Sequence, residues 1–579
     1  MITYKHNSLP WILIAVLCCM MSNLSAQVSW PFIYTTSAGA VTITGYAGHD
    51  ETVVIPATIN GLPVTSIGAY AFAGSWSMIS VTIPSSVTSI GDFAFMSCEL
   101  WSITIPASVT SIGNYAFIAC GILSGVTIPA SVTSIGSLAF YNCSNMSAIT
   151  VSSDNPAYSS LNGALFDKTQ TKLIEYPCGK SGSFNIPSGV TSVDGSAFSN
   201  CFSLSTITVD ASNPYYSSLD GILFDKKQGT LIQCPCGRTG GISIPTSVTS
   251  VGDFSFENCT SITSVTIPPN VTSIGLYAFS GCRNLTAITV DAFNSSYGSL
   301  QGMLFDKSGT TLIQCPAGMT GDITIPSGVI CIGVGAVASC NGLTSVSIPS
   351  SVSSISNFAF QSCGKLTSVS IPASVTNIGY DAFEVCSRLV SVTIGNGVTS
   401  IGDRAFYECS SLTNVCFLGN APTIGANVFD YEASGFKVYY FNGKTGFTSP
   451  TWNGYTTANM GNFNPATNWL LVNNLPYNAD LQSTPNGDGV SLLMDYALNL
   501  NPNKNQVANL PKAVLNTGNL SYAFYAGNTD ISYHVQASSD LKTWSSADVT
   551  VSAPDGNGNC IATLPFSSGR RFLRLVVSH

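Results

Sequence analysis

Residues 81–98 read VTIPSSVTSIGDFAFMSC, residues 103–120 read ITIPASVTSIGNYAFIAC, and residues 126–143 read VTIPASVTSIGSLAFYNC. Recurrence at a fixed period marks a repeat array. The proline of the Ile-Pro step falls at Pro326, Pro349 and Pro372, and Gly395 takes the same place. The period is therefore 23 residues (349−326, 372−349, 395−372). Pro84, Pro106 and Pro129 are spaced by 22 and 23. Each period reads as one coil. In LTSVSIPASVTNIGYDAFEVC (366–386), Leu366, Val369 and Ile371 form a short strand with one apolar face. Pro372 cannot continue a ladder and turns the chain. Val375 and Ile378 return to the interior, Gly379 lets the backbone bend, Ala382 and Phe383 plug the far side, and Cys386 closes the coil. A single coil cannot bury this face, whereas stacked coils can, with strands about 4.8 Å apart.

Three coils are longer. They carry NPAYSSLNGALFDKTQTKLIEYP (155–177), NPYYSSLDGILFDKKQGTLIQCP (213–235) and NSSYGSLQGMLFDKSGTTLIQCP (294–316). The prolines around them are 58 residues apart (187−129, 245−187, 326−268), which is one 23-residue coil plus one of 35. Asn-Gly or Asp-Gly between two apolar runs predicts a β-hairpin decorating one side of the solenoid.

The chain has 579 residues, too many for one ordinary core. Only 8% are charged, so Ser, Thr, Asn and Gly must cover the surface. With 20 Lys plus Arg, a net charge of −9 and no basic stripe, nucleic acid is excluded as an expected partner. Lys5 and His6 precede the apolar run WILIAVLCCMM, and Ala26 offers a cleavage point before Gln27, so residues 1–26 read as a secretory signal peptide. No later run reaches 18 consecutive apolar residues, which predicts a mature chain with no transmembrane segment.

The pattern VTIPxSVTSIGxxAFxxC with NPxYxSxxGxLFDK insertions resembles the BspA-like leucine-rich repeat family over roughly residues 30 to 445. The resemblance implies a mainly β fold, a right-handed solenoid of about 23-residue coils with hairpin insertions; short runs of alternating apolar and polar residues over 511–579 add a small all-β domain. The expected organisation is N-terminal capping coils over 27–80, repeats over 81–416, a capping coil over 417–445, a linker over 446–475, a degenerate calcium-loop-like segment over 476–510 and a β-sandwich-like domain over 511–579.

Ten cysteines follow the phenylalanine-type position by three residues: 98, 120, 143, 201, 259, 282, 340, 363, 386 and 409. Equivalent positions in successive coils point the same way, and disulfides need converging Cβ vectors. The expectation is a ladder of reduced, buried thiols acting as small apolar fillers. The Cys234-Pro-Cys236 pair receives no chemistry.

One outward residue per coil lies between the inward strand residues: Thr82, Thr104, Thr127, Thr150, Asn185, Thr208, Ser243, Thr266, Thr289, Thr324, Ser347, Ser370 and Thr393. Thirteen rungs give an expected polar ridge about 60 Å long. Thr suits an exposed strand face for reasons of β-propensity and solubility alone. The functional alternative is a partner surface of the kind solenoid faces provide, with a match to ice as a third reading.

In STPNGDGVSLLMDYALNLNP (483–502), Gly489 at the sixth position of a calcium loop puts Thr484, Asn486 and Asp488 at one, three and five and Asp495 at twelve. It resembles dockerin-type loops but has Thr at one and Asp at twelve. The alternative is a Gly-Asp-Gly turn capping a short helix. Asn486, Asp488 and Asp495 are the expected calcium ligands, and no other cofactor is expected.

After the signal segment the histidines are His49, His534 and His579, none with a repeated acidic or nucleophilic companion. Asp167, Asp225 and Asp306 recur in FDK and read as turn chemistry. No G-x-S-x-G, H-E-x-x-H or phosphate loop occurs. These readings lead to a non-enzymatic protein, secreted or at the cell surface. The family resemblance implies adhesion to an extracellular matrix or surface protein. The alternative partner is a polysaccharide or the cell envelope.

Overall fold

The structure is a computed structural model. It describes residues 27–579 apart from 463–464, 474, 476–478, 485–486, 503–504, 517, 529, 556, 566–570 and 579. The expected signal peptide, 1–26, lies outside the described residues. The chain divides into two compact units. The first runs to Gly321 and adds Gly328–Leu343 and Ser356–Cys363; the second holds Asp322–Ser327, Thr344–Ile355 and the chain from Gly364 onward.

In the first unit the repeats fold as a β-solenoid of stacked coils. Ser80–Thr82, Ser102–Thr104, Gly125–Ile128 and Ala148–Val151 pair in parallel, with Val81, Ile103, Val126 and Ile149 in one register. On a second side Ile67, Ile90, Ile112 and Ile135 align the same way. The third side is a turn ladder in which Phe72, Phe95 and Phe117 donate their N–H groups to Ala94, Ala116 and Ala139 of the next coil at 2.8 Å. The Phe72, Phe95, Phe117 and Phe140 rings stack at 5.2 to 5.5 Å. Val87, Ile90, Ala94, Phe95 and Cys98 are at most 1% exposed. Each large apolar side chain so buried contributes about 1.5–3 kcal/mol, available only when a neighbouring coil covers it.

The glycine after TSI serves close approach rather than bending. Gly113 and Gly402 do not have positive φ. A Cβ on Gly113 would lie 2.5 Å from Asp92 N, and one on Gly402 2.5 Å from Tyr380 N, both in the preceding coil.

The long coils hold more than a decorating hairpin. Tyr158–Leu161 and Ala164–Asp167 form the expected antiparallel pair, and Lys172–Glu175 adds a third strand. That third strand pairs in parallel with Ser192–Val193, so it belongs to the solenoid wall. The coils around Tyr216–Leu219 and Tyr297–Leu300 repeat this meander. The Asp of FDK closes its turn as expected: Asp167 Oδ1 accepts the N–H groups of Thr171 and Lys172 at 2.7 and 2.8 Å.

In the second unit Ser368–Ile371, Ser391–Ile394, Asn414–Phe417, Lys437–Tyr440 and Tyr455–Asn459 form a parallel ladder. The tract 446–475, expected as a linker, is therefore corrected. Thr451–Trp452 and Tyr455–Asn459 form a hairpin that extends the ladder, and Pro465–Val472 is helical. The aromatic residues within this Asn/Thr-rich tract decide it: Trp452 packs edge-on to Phe417 at 5.6 Å and Tyr455 to Phe429 at 5.2 Å.

The last region has two antiparallel sheets. One orders Ala513–Asn516, Asn519–Tyr525, Asn559–Pro565 and Thr550–Val551; the other pairs Ser532–Ser538 with Phe572–Ser578. Tyr522, Phe524 and Cys560 from the first share a core with Val535 and Leu575 from the second and with Leu498, which follows the helix Leu492–Ala497. Residues 492–498 are thus packed into the sandwich.

Candidate interaction surface

In the first unit the outward strand positions are exposed. Thr82, Thr104, Thr127 and Thr150 are exposed on one five-stranded sheet, with Thr104, Thr127 and Thr150 in direct register. Ser243, Thr266 and Thr289 repeat the arrangement on a three-stranded sheet, and Asn185 and Thr208 on a two-stranded one. In the second unit Thr324 and Ser347 are exposed and Ser370 is half-buried.

Two sets of threonine hydroxyls behave differently. Those of the SVTSIG step donate to the preceding coil: Thr88 to Thr65 O at 3.2 Å, Thr110 to Thr88 O at 3.1 Å, Thr272 to Thr249 O at 3.4 Å and Thr399 to Thr376 O at 3.1 Å. The hydroxyls of Thr82, Thr104, Thr127, Thr150, Thr266, Thr289 and Thr324 have no hydrogen-bond partner among the described residues. Thr208 is the exception, donating to Asn185 Oδ1 at 3.0 Å.

The expected continuous ridge is corrected in two respects. First, the long coils interrupt it. After Thr150 the ladder ends because Ile149 N–H donates to Gly163 O at 2.8 Å and Val151 N–H to Ser160 Oγ at 3.0 Å, both in the hairpin. The same substitution occurs at Ile207 with Gly221 and at Ile288 with Gly302. The ridge is a series of short segments; the longest, the four strands of Thr82, Thr104, Thr127 and Thr150, spans about 15 Å. Second, Thr393 is buried, at 6% exposed. Its register partner is Cys416, followed by Tyr439, and Cys416 packs with Leu418, Tyr439, Phe441 and Met460. The outward face turns apolar and covered at this end.

Sequence reasoning missed the residues that anchor each meander. Asn155, Asn213 and Asn294 are fully buried. Asn213 donates to Pro187 O and Val190 O at 2.8 and 2.9 Å and accepts from Tyr215 and Tyr216 N–H at 2.8 Å. Tyr158, Tyr216 and Tyr297 then accept the N–H of Ile135, Val193 and Ile274 at 2.8 to 3.2 Å, capping the strand ladder that the meander interrupts. The recurring Asn-x-x-Tyr was the available signal. A second feature is an outer aromatic stack. Tyr70, Phe93 and Tyr115 lie 4.8 Å apart with nearly parallel rings, each on a residue with φ near 55°.

The cysteine ladder is buried as expected, and its thiols also hydrogen-bond. Cys98, Cys120, Cys143 and Cys282 donate to the carbonyls of Phe72, Phe95, Phe117 and Phe256 at 3.0 to 3.1 Å. Burial pushes Cys120 up to about 12. One member departs from the reduced ladder: Cys201 is disulfide-bonded to Cys178. Cys178 comes from the return loop of a long coil and does not stand at an F-x-x-C position, so the ladder spacing does not govern this pair.

The repeat region matches the model of the BspA type leucine-rich repeat region over residues 65–181, 176–224, 234–321 and 319–434. The chain belongs to this family. Solved structures with similarity include a leucine-rich cell surface protein from Faecalibacterium prausnitzii, 27% identical over 69% of this chain and 96% of that one, with a TM-score of 0.31. A leucine-rich repeat protein from Eubacterium ventriosum is 27% identical over 62% and 94%, TM-score 0.32. The pneumococcal vaccine antigen PcpA is 19% identical over 72% and 94%, TM-score 0.32. No curated protein matches the chain.

The BspA-type match stops short of the expected calcium segment. There, Asn486 lies outside the described residues. Asp488 uses its two oxygens on the N–H groups of Val490 and Gln506, at 2.9 and 2.7 Å. Asp495 is fully buried, and neither oxygen has a hydrogen-bond partner among the described residues. Burial, with the neighbouring Asp488, pushes it up to about 6. No group of three or more His, Cys, Asp or Glu suited to a metal ion occurs among the described residues. Ser491 caps the helix, accepting Met494 N–H at 3.3 Å. Among the described residues no helix is long and apolar enough to cross a membrane.

Proposed function

We propose that this BspA-type repeat protein is a non-enzymatic interaction protein, secreted or held at the cell surface, that binds an extracellular matrix or surface protein through the segmented hydroxyl ridge. The observation behind this reading is the division of labour among its threonines. Hydroxyls on the flanking step bond to the neighbouring coil, whereas those of the exposed ridge threonines other than Thr208 are left to an external partner. Low charge shapes the interface. Ionic screening acts over about 8–10 Å and weakens exposed charge pairs, of which such a surface has few. Binding of the whole chain to immobilised matrix proteins and to polysaccharides, at low and high salt, tests the reading. It predicts protein capture that changes little with salt and is lost in Thr266→Arg with Thr289→Arg, two register neighbours. Polysaccharide capture alone identifies the glycan partner instead. Full affinity in the double variant, or affinity confined to residues 476–579, leaves the ridge as a solvated surface only.

A further inference from the structure

Two of the long coils return through matching loops 58 residues apart, and the match holds bond by bond. Tyr176 N–H donates to Ala197 O at 2.9 Å, and Cys234 N–H to Ser255 O at 2.7 Å. Gly179 N–H donates to Met146 O at 2.8 Å, and Gly237 N–H to Leu204 O at 2.9 Å. Lys180 N–H bonds Pro177 O at 3.0 Å, as Arg238 N–H bonds Pro235 O. The side chains follow: Lys180 Nζ reaches Asn162 O, and an Arg238 guanidinium nitrogen reaches Asp220 O. At the centre of each loop is a cysteine whose Sγ lies 3.3 Å from Ser199 O in one case, Cys178, and 3.4 Å from Glu257 O in the other, Cys236. Each stands 23 residues before a ladder cysteine, Cys201 or Cys259. The first pair is disulfide-bonded.

We propose that Cys236 and Cys259 form a second disulfide, so that the first two long coils are each stapled covalently to the coil that follows. Both sulfurs belong to one buried apolar cluster, at 1% and 0% exposed. Both are free thiols in this structure, and Cys259 Sγ lies 3.7 Å from the carbonyl of Pro235, the residue before Cys236; once ionised, a thiol is the nucleophile in exchange. The oxidant required is a disulfide donor of the thiol–disulfide exchange class. The Cys236 thiolate attacks the donor disulfide and releases one donor thiolate. The Cys259 thiolate then attacks the Cys236 sulfur and releases the second. One S–S bond forms in the protein, two S–H bonds are lost, and the two electrons and two protons leave as two donor thiols. Burial places this exchange before the coils close.

Each staple joins two coils that also pair along both strand ladders: Lys172–Glu175 with Ser192–Val193 and Gly182–Ile186 with Leu204–Val209 in the first, Thr230–Gln233 with Ser250–Val251 and Gly240–Ser243 with Ile262–Ile267 in the second. The third long coil has Ala317 at the corresponding place, so the inference yields two staples and not three. Cys234 is the competing thiol, because it also meets Cys259. Its counterpart Cys315 meets Cys340 in the third coil, which has no third cysteine at that place.

Mapping the cysteines of the whole chain decides the matter. The protein is produced in an oxidising compartment, alkylated under denaturing conditions without reductant, digested and weighed by mass spectrometry. The expected result is linked peptides containing Cys178–Cys201 and Cys236–Cys259, each two hydrogens lighter than its reduced form, with Cys234, Cys315 and Cys340 alkylated. Cys234→Ser should leave the Cys236–Cys259 peptide in place. Alkylated Cys236 and Cys259, whatever the state of the first pair, or a Cys234–Cys259 linkage, would overturn the proposal.

Discussion

Cys98 donates its thiol to the carbonyl of Phe72, 3.0 Å away and one coil back. The Phe95 carbonyl shows why the position recurs: it accepts the N–H of Cys98 in its own coil at 3.3 Å and the thiol of Cys120 from the next at 3.1 Å. Small size, weak donor strength and tolerance of full burial make cysteine fit a place where alanine leaves a carbonyl short of one bond. Cys120→Ala should therefore destabilise the chain by about 1–2 kcal/mol in denaturant titration. No change would reduce the ladder thiols to space-filling. In the native protein, thiol reagents at neutral pH should label few ladder cysteines, because burial holds Cys120 near 12. Denaturation should release the unlinked ones.

Asn213 anchors its meander with four hydrogen bonds, two donated and two accepted. Asn213→Asp keeps the volume and removes both donors from a site with no exposed surface. A loss of about 3 kcal/mol or more is expected, from two orphaned carbonyls and a buried carboxyl. Equal thermal stability of the two proteins would count against the anchoring role.

Glu175 occupies the position of Gln233 and Gln314, whose side-chain amides donate to the backbone carbonyls of Cys234 and Cys315 at 3.0 and 2.9 Å. Burial, and then the nearby Asp194, hold Glu175 well above the usual carboxylate range. A raised carboxyl value means that the folded chain binds the proton more tightly. Its effect on stability is therefore neutral or favourable below the unfolded value of about 4.3 and turns unfavourable as pH climbs through the folded value. Glu175→Gln should raise the melting temperature at about pH 8 and change it little at about pH 4. A pH-independent difference would mean that the carboxyl is not buried in the folded chain.

Core and close-approach positions should respond in opposite ways to size. Phe279, 1% exposed and stacked 5.2 Å from Phe256, should cost about 3–5 kcal/mol when cut to alanine. Gly402 should cost about 1–3 kcal/mol when enlarged to alanine, since the added methyl meets the Tyr380 nitrogen. Denaturant titrations of both variants provide the check.

The coil was legible because its signal is periodic. Val81, Ile90, Ala94, Phe95 and Cys98 recur at the same offsets, and every one is buried. What was not legible depends on partners outside one period. The ridge breaks at Thr150 because a hairpin turn supplies the acceptor for Ile149, and no property of Thr150 reveals that. Thr393 is buried because its register neighbours change from Ser370 to Cys416 and Tyr439. Cys178 escaped the ladder reading because it does not stand at the F-x-x-C spacing. The tract 446–475 looked like a linker by composition, whereas its aromatic residues pack it down: Phe447 and Trp452 on Phe417, Tyr455 on Phe429 and Trp469 on Tyr496.

The stacking register underlies all of these statements, and an internal deletion tests it most directly. Thr104 pairs with Thr127, 23 residues on, so deleting residues 106–128 joins Ile105 to Pro129 with every later coil in register. Deleting residues 106–117, about half a coil, sets polar residues against the core. Thermal unfolding followed by circular dichroism should show a cooperative, folded and slightly shorter array for the first protein and a strongly destabilised or unfolded one for the second. Equal stability of the two, or loss of folding in the full-period deletion alone, would contradict the account.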